Sequence, residues 1–424
     1  MFSWLLLQRQ DPTNQQVISF LSADWLYTGT GLVRAGAGIH VDAQGRIDSL
    51  HGEGQQTGSS EHFAGAVLLP GLVNTHTHLE LTGLEGQVEA TDFHLWIRQL
   101  IALKAERSEE DFFRAAQAGL RAGFAAGVTT VADTGSSAGP LRALAESGGS
   151  GIAYLEVFGP HPDAAPANIA AFEARLRELA PLESARVRLG VSPHAPYSVS
   201  GPLYRAAARL ARKQNRPLAV HVAESSAESA LLEQATGPFA ELWRSRSIPL
   251  PSLPGRSPLA WLESHEVLGP DTLCIHVVHA APEDIARLAR HQCGIAHCPR
   301  SNRRHAHGDA PLRALREAGL HVGVGTDSVA SVCPPDLLAE ARAAARLAGL
   351  TATEALHLAT LGAAEALGLG SEVGSLEIGK WADLALIRIP DGTASDRVPD
   401  AILASGPDAV LATFVGGRAV YRAS

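Results

Sequence analysis

The sequence predicts an α/β protein: a (β/α)8 barrel of the TIM type over residues 67–370, with a smaller β-sandwich domain formed by both chain ends, 1–66 and 371–424. Three observations carry that expectation. Short apolar runs bounded by turn residues alternate with Ala/Leu/Arg-rich stretches of helical period through the middle of the chain. Eight such runs can be counted there. The two ends share a different, short-strand texture.

Each element has its own signal. Val17 to Ala66 is β-like, and within it Ile39-His40-Val41, the turn Asp42-Ala43-Gln44-Gly45 and Arg46-Ile47-Asp48-Ser49-Leu50 read as a hairpin. The barrel strands open near Val67, Thr129, Ile152, Val187, Leu218, Leu273, Gly294 and Val322, with helices such as Asp111–Ala126, Pro202–Gln214 and Pro282–His291 between them. Eight units in roughly 300 residues fit a closed barrel, although the count alone also admits a doubly wound open sheet. Ile248 to Pro258 is Pro/Ser-rich and reads as a surface loop over one end of the barrel. Gly374 to Ile387 reads as a turn feeding a strand, and Val410 to Tyr421 supplies two more.

Composition narrows the function. The chain has 424 residues, 46% hydrophobic and 19% charged, which is globular and not disordered. A formal net charge of −9 disfavours nucleic acid as a partner, and no apolar run is long enough to cross a membrane. The apolar Trp4-Leu5-Leu6-Leu7 lacks a basic flank and a cleavage site, and reads as a local packing segment. Cys274, Cys293, Cys298 and Cys333 form no C-x-x-C pair, the pattern of reduced thiols in a cytoplasmic protein. The informative excess is in the 18 histidines, several of them at strand ends.

The first barrel strand runs into His76-Thr77-His78. Residues two apart on a strand share a face, so both imidazoles can point inward and hold one ion. Alone, an H-x-H pair is more simply a polar strand face. The fifth strand ends in His221-Val222-Ala223-Glu224, offering a third imidazole and a carboxylate placed for acid/base work. The sixth ends in His276-Val277-Val278-His279, with His276 the better placed of the two. The eighth runs Val322-Gly323-Val324-Gly325-Thr326-Asp327, where a carboxylate is costly to bury unless paired or metal-bound. Single signals of this kind are weak. Four of them at the ends of strands one, five, six and eight, the face where barrel enzymes build their sites, predict a metal centre.

These residues, with Pro70-Gly71-Leu72-Val73-Asn74-Thr75-His76-Thr77-His78, Ser192-Pro193-His194-Ala195-Pro196-Tyr197, His297-Cys298-Pro299-Arg300-Ser301-Asn302 and Gly325-Thr326-Asp327-Ser328, resemble the deaminase/chlorohydrolase branch of the amidohydrolase superfamily. The motifs run in that family's order across nearly the whole chain. The resemblance implies His76, His78, His221 and Asp327 as metal ligands, Glu224 as acid/base and His276 beside the attacking water. It also implies His194 as a substrate contact, one divalent ion (zinc first, with iron or manganese compatible) and a homodimer. The fourth strand, Val187-Arg188-Leu189-Gly190-Val191-Ser192-Pro193-His194, lacks the lysine with which binuclear relatives bridge two ions, and the nearest lysine is Lys213. One metal is expected.

The expected reaction is hydrolytic deamination of a heteroaromatic ring, Asp327 serving both as ligand and in orienting the water. The expected substrate is a small molecule: an adenine nucleoside with a 5′ extension, aminodeoxyfutalosine first and methylthioadenosine or S-adenosylhomocysteine second. Arg300, at the end of strand seven, and Arg98, after Phe93 and Trp96 in the first βα loop, are candidate substrate contacts, as is Trp96. The alternative is hydrolysis of another bond on a similar ring: a chlorotriazine, guanine or a cyclic amide.

Overall fold

Two eight-stranded sheets organise the chain in the computed structural model, which describes residues 17–31, 33–51, 60–251 and 255–424. Trp4 to Leu7, and residues 252–254 of the Pro/Ser-rich stretch, lie outside the described residues. In chain order the strands are β1 (Phe20–Tyr27), β2 (Val33–Ala35), β3 (Gly38–Val41), β4 (Ile47–His51) and β5 (Ser60–Pro70). There follow β6 (Leu72–Thr77), β7 (Val128–Gly135), β8 (Ser150–Val157), β9 (Val187–Pro193), β10 (Leu218–Val222), β11 (Thr272–His276), β12 (Gly294–His297) and β13 (Val322–Val324). The last three are β14 (Leu384–Arg388), β15 (Val410–Val415) and β16 (Arg418–Arg422).

Strands β6 to β13 pair in sequence order, each parallel to the next. The ring closes between its ends: Thr77 bridges Asp327 in parallel, and the Asp327 N–H donates to the His76 carbonyl at 3.0 Å. This is a closed barrel, not an open doubly wound sheet. Strand alternation divides its two cores. Ala153, Leu155 and Val157 of β8 pack outward, while Ile152 and Tyr154 fill the interior beside Val73, Ala132, Ala219, Leu273, Ile275 and Ala296.

The helices follow their local chemistry. Glu109–Ala125 starts at a Ser108 capping box with Asp111 and buries Phe113, Ala116, Leu120 and Phe124, one stripe at helical spacing. Gly201–Lys213 buries Leu203, Tyr204, Ala207, Ala208 and Ala211 in the same way, and Pro282–His291 stands where its sequence placed it. No helix among the described residues is long and apolar enough to cross a membrane.

The second sheet has the order β16-β15-β14-β5-β1-β3-β4, with β2 on β1. It joins the chain ends at β5, which runs parallel to β1 and antiparallel to β14. The hairpin read from Ile39 to Leu50 is β3–β4. One expected boundary moves. Val67 does not open the first barrel strand, because Ser60–Pro70 is a strand of the end sheet and the barrel begins at Leu72. Gly71 marks the change of sheet, where a Cβ would lie 2.2 Å from the Thr129 side chain. Pro70-Gly71 punctuates the apolar run at this point, but a local turn signal does not say that the chain changes sheets there.

Candidate metal centre

Three features of the strand ends bring the predicted side chains together. His76 and His78 leave β6 with ring centroids 4.8 Å apart, and both present Nε2 at 3.5 Å from Asp327 Oδ1. His221 ends β10 with its ring 4.9 Å from that of His76. Four residues where the strands give way to loops hold left-handed backbone: Ala223 (φ 52°), His276 (φ 72°), Val277 (φ 52°) and Asp327 (φ 56°). For L-residues this conformation is strained, and it persists only where the surroundings enforce it. Here the enforcement is inter-strand hydrogen bonding: Val277 N–H to the Val222 carbonyl at 3.1 Å, and His279 N–H to that of Ala223 at 2.8 Å.

The donor set fits a divalent ion. Ligand atoms of His76, His221 and His276, and separately of His76, His78 and Asp327, lie within 4.8 Å of one another. Two ligands about 2.1 Å from a shared tetrahedral ion stand about 3.4 Å apart, close to the 3.5 Å between Asp327 Oδ1 and each imidazole. In the fully buried His76, Nδ1 lacks a hydrogen-bond partner and Nε2 faces only the Asp327 carboxylate at 3.5 Å, an orientation that suits a shared ion. His78 Nδ1 meets the Thr134 carbonyl at 2.8 Å and His221 Nδ1 that of His194 at 3.2 Å, which leaves each Nε2 facing the cluster. Asp327 is held twice over: Ser301 Oγ donates to Oδ2 at 2.5 Å and the Ser328 N–H to Oδ1 at 2.7 Å.

Burial lowers the His76 pKa to about 4, against the opposing pull of Asp327, and carries His221 well below its ordinary value. Desolvation thus favours the uncharged ring, the form that coordinates metals, and works against the pull of Asp327. Burial pushes the Asp327 carboxyl up, but the hydrogen bond and charge of His76 outweigh it and hold the group well below the usual carboxylate range. Glu224 is likewise buried yet lowered to about 2, because His276 and His307 outweigh desolvation.

Glu224 Oε1 stands 3.5 Å from His276 Nε2 and 3.4 Å from His307 Nε2. Its backbone is fixed from below by Glu228, whose buried carboxylate accepts the N–H of both Ala223 (2.8 Å) and Glu224 (3.0 Å). His276 Nδ1 donates to Asn302 Oδ1 at 3.0 Å, so the ring has an acceptor at each nitrogen. His194 sits beside the cluster, 4.8 Å from the His221 ring, with Phe158 over it at 4.9 Å and Nδ1 on Ser198 Oγ at 2.7 Å.

The other predicted substrate contacts divide. Trp96 is buried and packs on Phe93 and His305, and Phe93 in turn meets the His307 ring at 4.5 Å, so this aromatic wall backs the site. Arg98 is exposed: it lies two residues from Trp96 on the helix Phe93–Ala105, roughly 200° around the axis, and cannot share its face. Arg300 turns away from the cluster, with Nη1 3.4 Å from the Pro334 carbonyl and 3.5 Å from Glu340 Oε1. The residues that motif reading left without roles are His307, Ser301, Asn302 and Glu228. Ser301 and Asn302 were legible as neighbours in the strand-seven motif, whereas nothing in His305-Ala306-His307 marks His307 as reaching Glu224.

Imidazoles and carboxylates converging at the C-terminal mouth of a closed (β/α)8 barrel define a barrel enzyme with a metal-capable centre. The chain belongs to the amidohydrolase family, whose model matches residues 67–420. It is 34% identical over 331 residues to the aminodeoxyfutalosine deaminase of Deinococcus radiodurans, covering 73% of this chain and 76% of that one. It is 31% identical over 330 residues to the 5-methylthioadenosine/S-adenosylhomocysteine deaminase of Moorella thermoacetica, covering 76% and 73%. Its fold matches the crystal structure of Helicobacter pylori aminofutalosine deaminase in complex with methylthio-coformycin, with a TM-score of 0.80, 25% identity and coverage of 95% and 100%.

Proposed function

We propose that this protein hydrolytically deaminates an adenine nucleoside bearing a 5′ extension. In this reading His76, His78, His221 and Asp327 hold one divalent ion, zinc first, and Glu224 moves the protons. The observation that carries it is the placement of Glu224: a buried carboxylate beside the imidazole cluster, facing His276 and His307 at 3.5 and 3.4 Å. The family membership and the names of the relatives support the same chemistry.

When bound, the ion supplies the Lewis acidity that makes water nucleophilic at neutral pH. Glu224 takes one proton from the attacking water and delivers it to the ring nitrogen. It then passes the remaining proton of the new hydroxyl to the amino group, which leaves as ammonia when the C–N bond breaks and the carbonyl forms. His276, held between Asn302 Oδ1 and Glu224 Oε1, is positioned to stabilise charge on the attacking oxygen. Glu228, through its two backbone contacts, keeps Glu224 in place. His194, beside His221 and under Phe158, is positioned to contact the purine, and the Phe93–Trp96 wall closes the apolar side.

The test is a panel of aminodeoxyfutalosine, methylthioadenosine, S-adenosylhomocysteine, adenosine, guanine and a chlorotriazine, offered to metal-replete protein. The ultraviolet change from adenine to hypoxanthine and released ammonia are both read. Turnover is expected with a 5′-extended adenosine, and aminodeoxyfutalosine is expected to lead. Glu224→Gln is expected to keep its metal and to lose at least about a hundredfold in kcat, the scale of a positioned acid/base. A silent nucleoside panel, or a fully active Glu224→Gln enzyme, would overturn the reading.

A further inference from the structure

Outside the barrel mouth lies a cleft of about 540 Å³ walled by Arg300, Arg303, Arg304, Arg342 and Arg346, with Cys333 among its lining residues. None of its lining residues belongs to the imidazole cluster. The five guanidinium groups come from two elements. The short helix Pro299–Arg304 turns Ser301 and Asn302 inward and leaves Arg303 and Arg304 exposed. From the facing helix Leu337–Ala348, Arg342 and the exposed Arg346 project one turn apart.

The charge around them is poorly balanced. Arg342 is committed, to Asp336 at 2.9 Å and to the carbonyls of Leu403 and Ser405. Among the described residues, the only acidic side chain that Arg300 reaches is the buried Glu340, at 3.5 Å. Arg303, Arg304 and Arg346 have no acidic partner among the described residues. Like charges facing one another across a concave surface raise its potential and destabilise it unless a counter-charge arrives. This cluster of five arginines stands in a chain whose net charge is −9.

We propose that this cleft is a binding site for a small oligophosphate, distinct from the metal centre. Guanidinium groups pair bidentately with phosphate oxygens, and groups on two walls offer more donors than a single carboxylate can accept. The volume falls in the range of small-molecule sites. Arg303 and Arg304 meet the ligand from one wall of the cleft and Arg346 from the other. The site stands independently of the deaminase reading, since it shares no side chain with the proposed chemistry.

The experiment is calorimetric titration of the full chain with pyrophosphate and tripolyphosphate at low and moderate salt. The expected result is saturable binding at one site, weakening as salt rises. The double variant Arg303→Ala/Arg304→Ala is expected to bind about tenfold or more weakly, a change of about 1.4 kcal/mol or more. Arg346→Ala, on the opposite wall, gives an independent loss, and Arg397→Ala, an exposed arginine elsewhere, leaves binding intact. Cooperative melting of each variant establishes that it is folded. No saturable binding, binding unchanged by both cleft variants, or equal weakening by Arg397→Ala would overturn the site.

Discussion

Side-chain alternation along β11 puts Leu273 and Ile275 in the barrel interior, and by the same rule His276 belongs outside. It faces Glu224 because its own φ is +72° and that of Val277 is +52°. Each left-handed residue costs about 1 kcal/mol or more, and the ladder bonds of β10 and β11 hold them there. Buried carboxylates show a second effect at this scale. Burial raises the Glu340 pKa to about 8, against the backbone N–H and charge of Arg300, while the charges of Asp327 and Asp336 add to the rise. A raised carboxyl in the folded state keeps a proton that the unfolded chain has released. Its contribution is therefore complete below about pH 4.5 and is lost as pH rises towards about 8. Glu340→Gln, which keeps the shape, is expected to lose less stability than the parent between pH 6 and pH 9, read as denaturant midpoints. An identical decline in both proteins would refute the assignment.

At the level of elements, short helices sort residues that a motif presents as a group. Pro299–Arg304 sends Ser301 to Asp327 and Asn302 to His276, and turns Arg300 towards the cleft. The helix Phe93–Ala105 separates Trp96 from Arg98 in the same manner. Helical period alone could have predicted both separations, since adjacent positions differ by about 100°. The barrel seam depends on the absence of a side chain. At Gly325, where the Gly325 N–H bonds the His297 carbonyl, a Cβ would stand 2.7 Å from His76 N and 2.8 Å from His76 Cβ. Gly325→Ala is expected to destabilise the protein by about 1–3 kcal/mol through overpacking, and to weaken metal retention because His76 must move. Chemical denaturation and metal analysis of the purified variant check both.

For the whole molecule, an ion pair between the buried Asp383 and the part-buried Arg186 ties the end sheet to the base of the barrel. Asp383, just before β14, takes Arg186 Nη2 at 2.6 Å and the Gly416 N–H at 2.8 Å, and Arg186 immediately precedes β9. Arg186 also lies over the Trp381 ring, 4.4 Å from its centroid. Removing one partner of a buried pair strands the other, a loss of about 3–5 kcal/mol. Asp383→Ala is expected to fall by that much in denaturant unfolding while folded protein keeps its metal content, since the pair sits at the end of the barrel opposite the imidazoles. Loss of metal at full stability would contradict this arrangement.

Local chemistry in the sequence determined the fold class, the positions of most strands and helices, and the group of side chains gathered at the mouth: His76, His78, His221, Glu224, His276 and Asp327. Those features depend on period, turn residues and strand ends, which are short-range and survive in a linear reading. Tertiary structure alone decided the switch of sheets at Gly71, the meeting of β5 with β14, the reach of His307 to Glu224 and the turning of Arg300 into a separate cleft. Each of these depends on which segments, distant in the chain, pack against one another. That outcome follows from the closure of the barrel as a whole, and no window of sequence contains it.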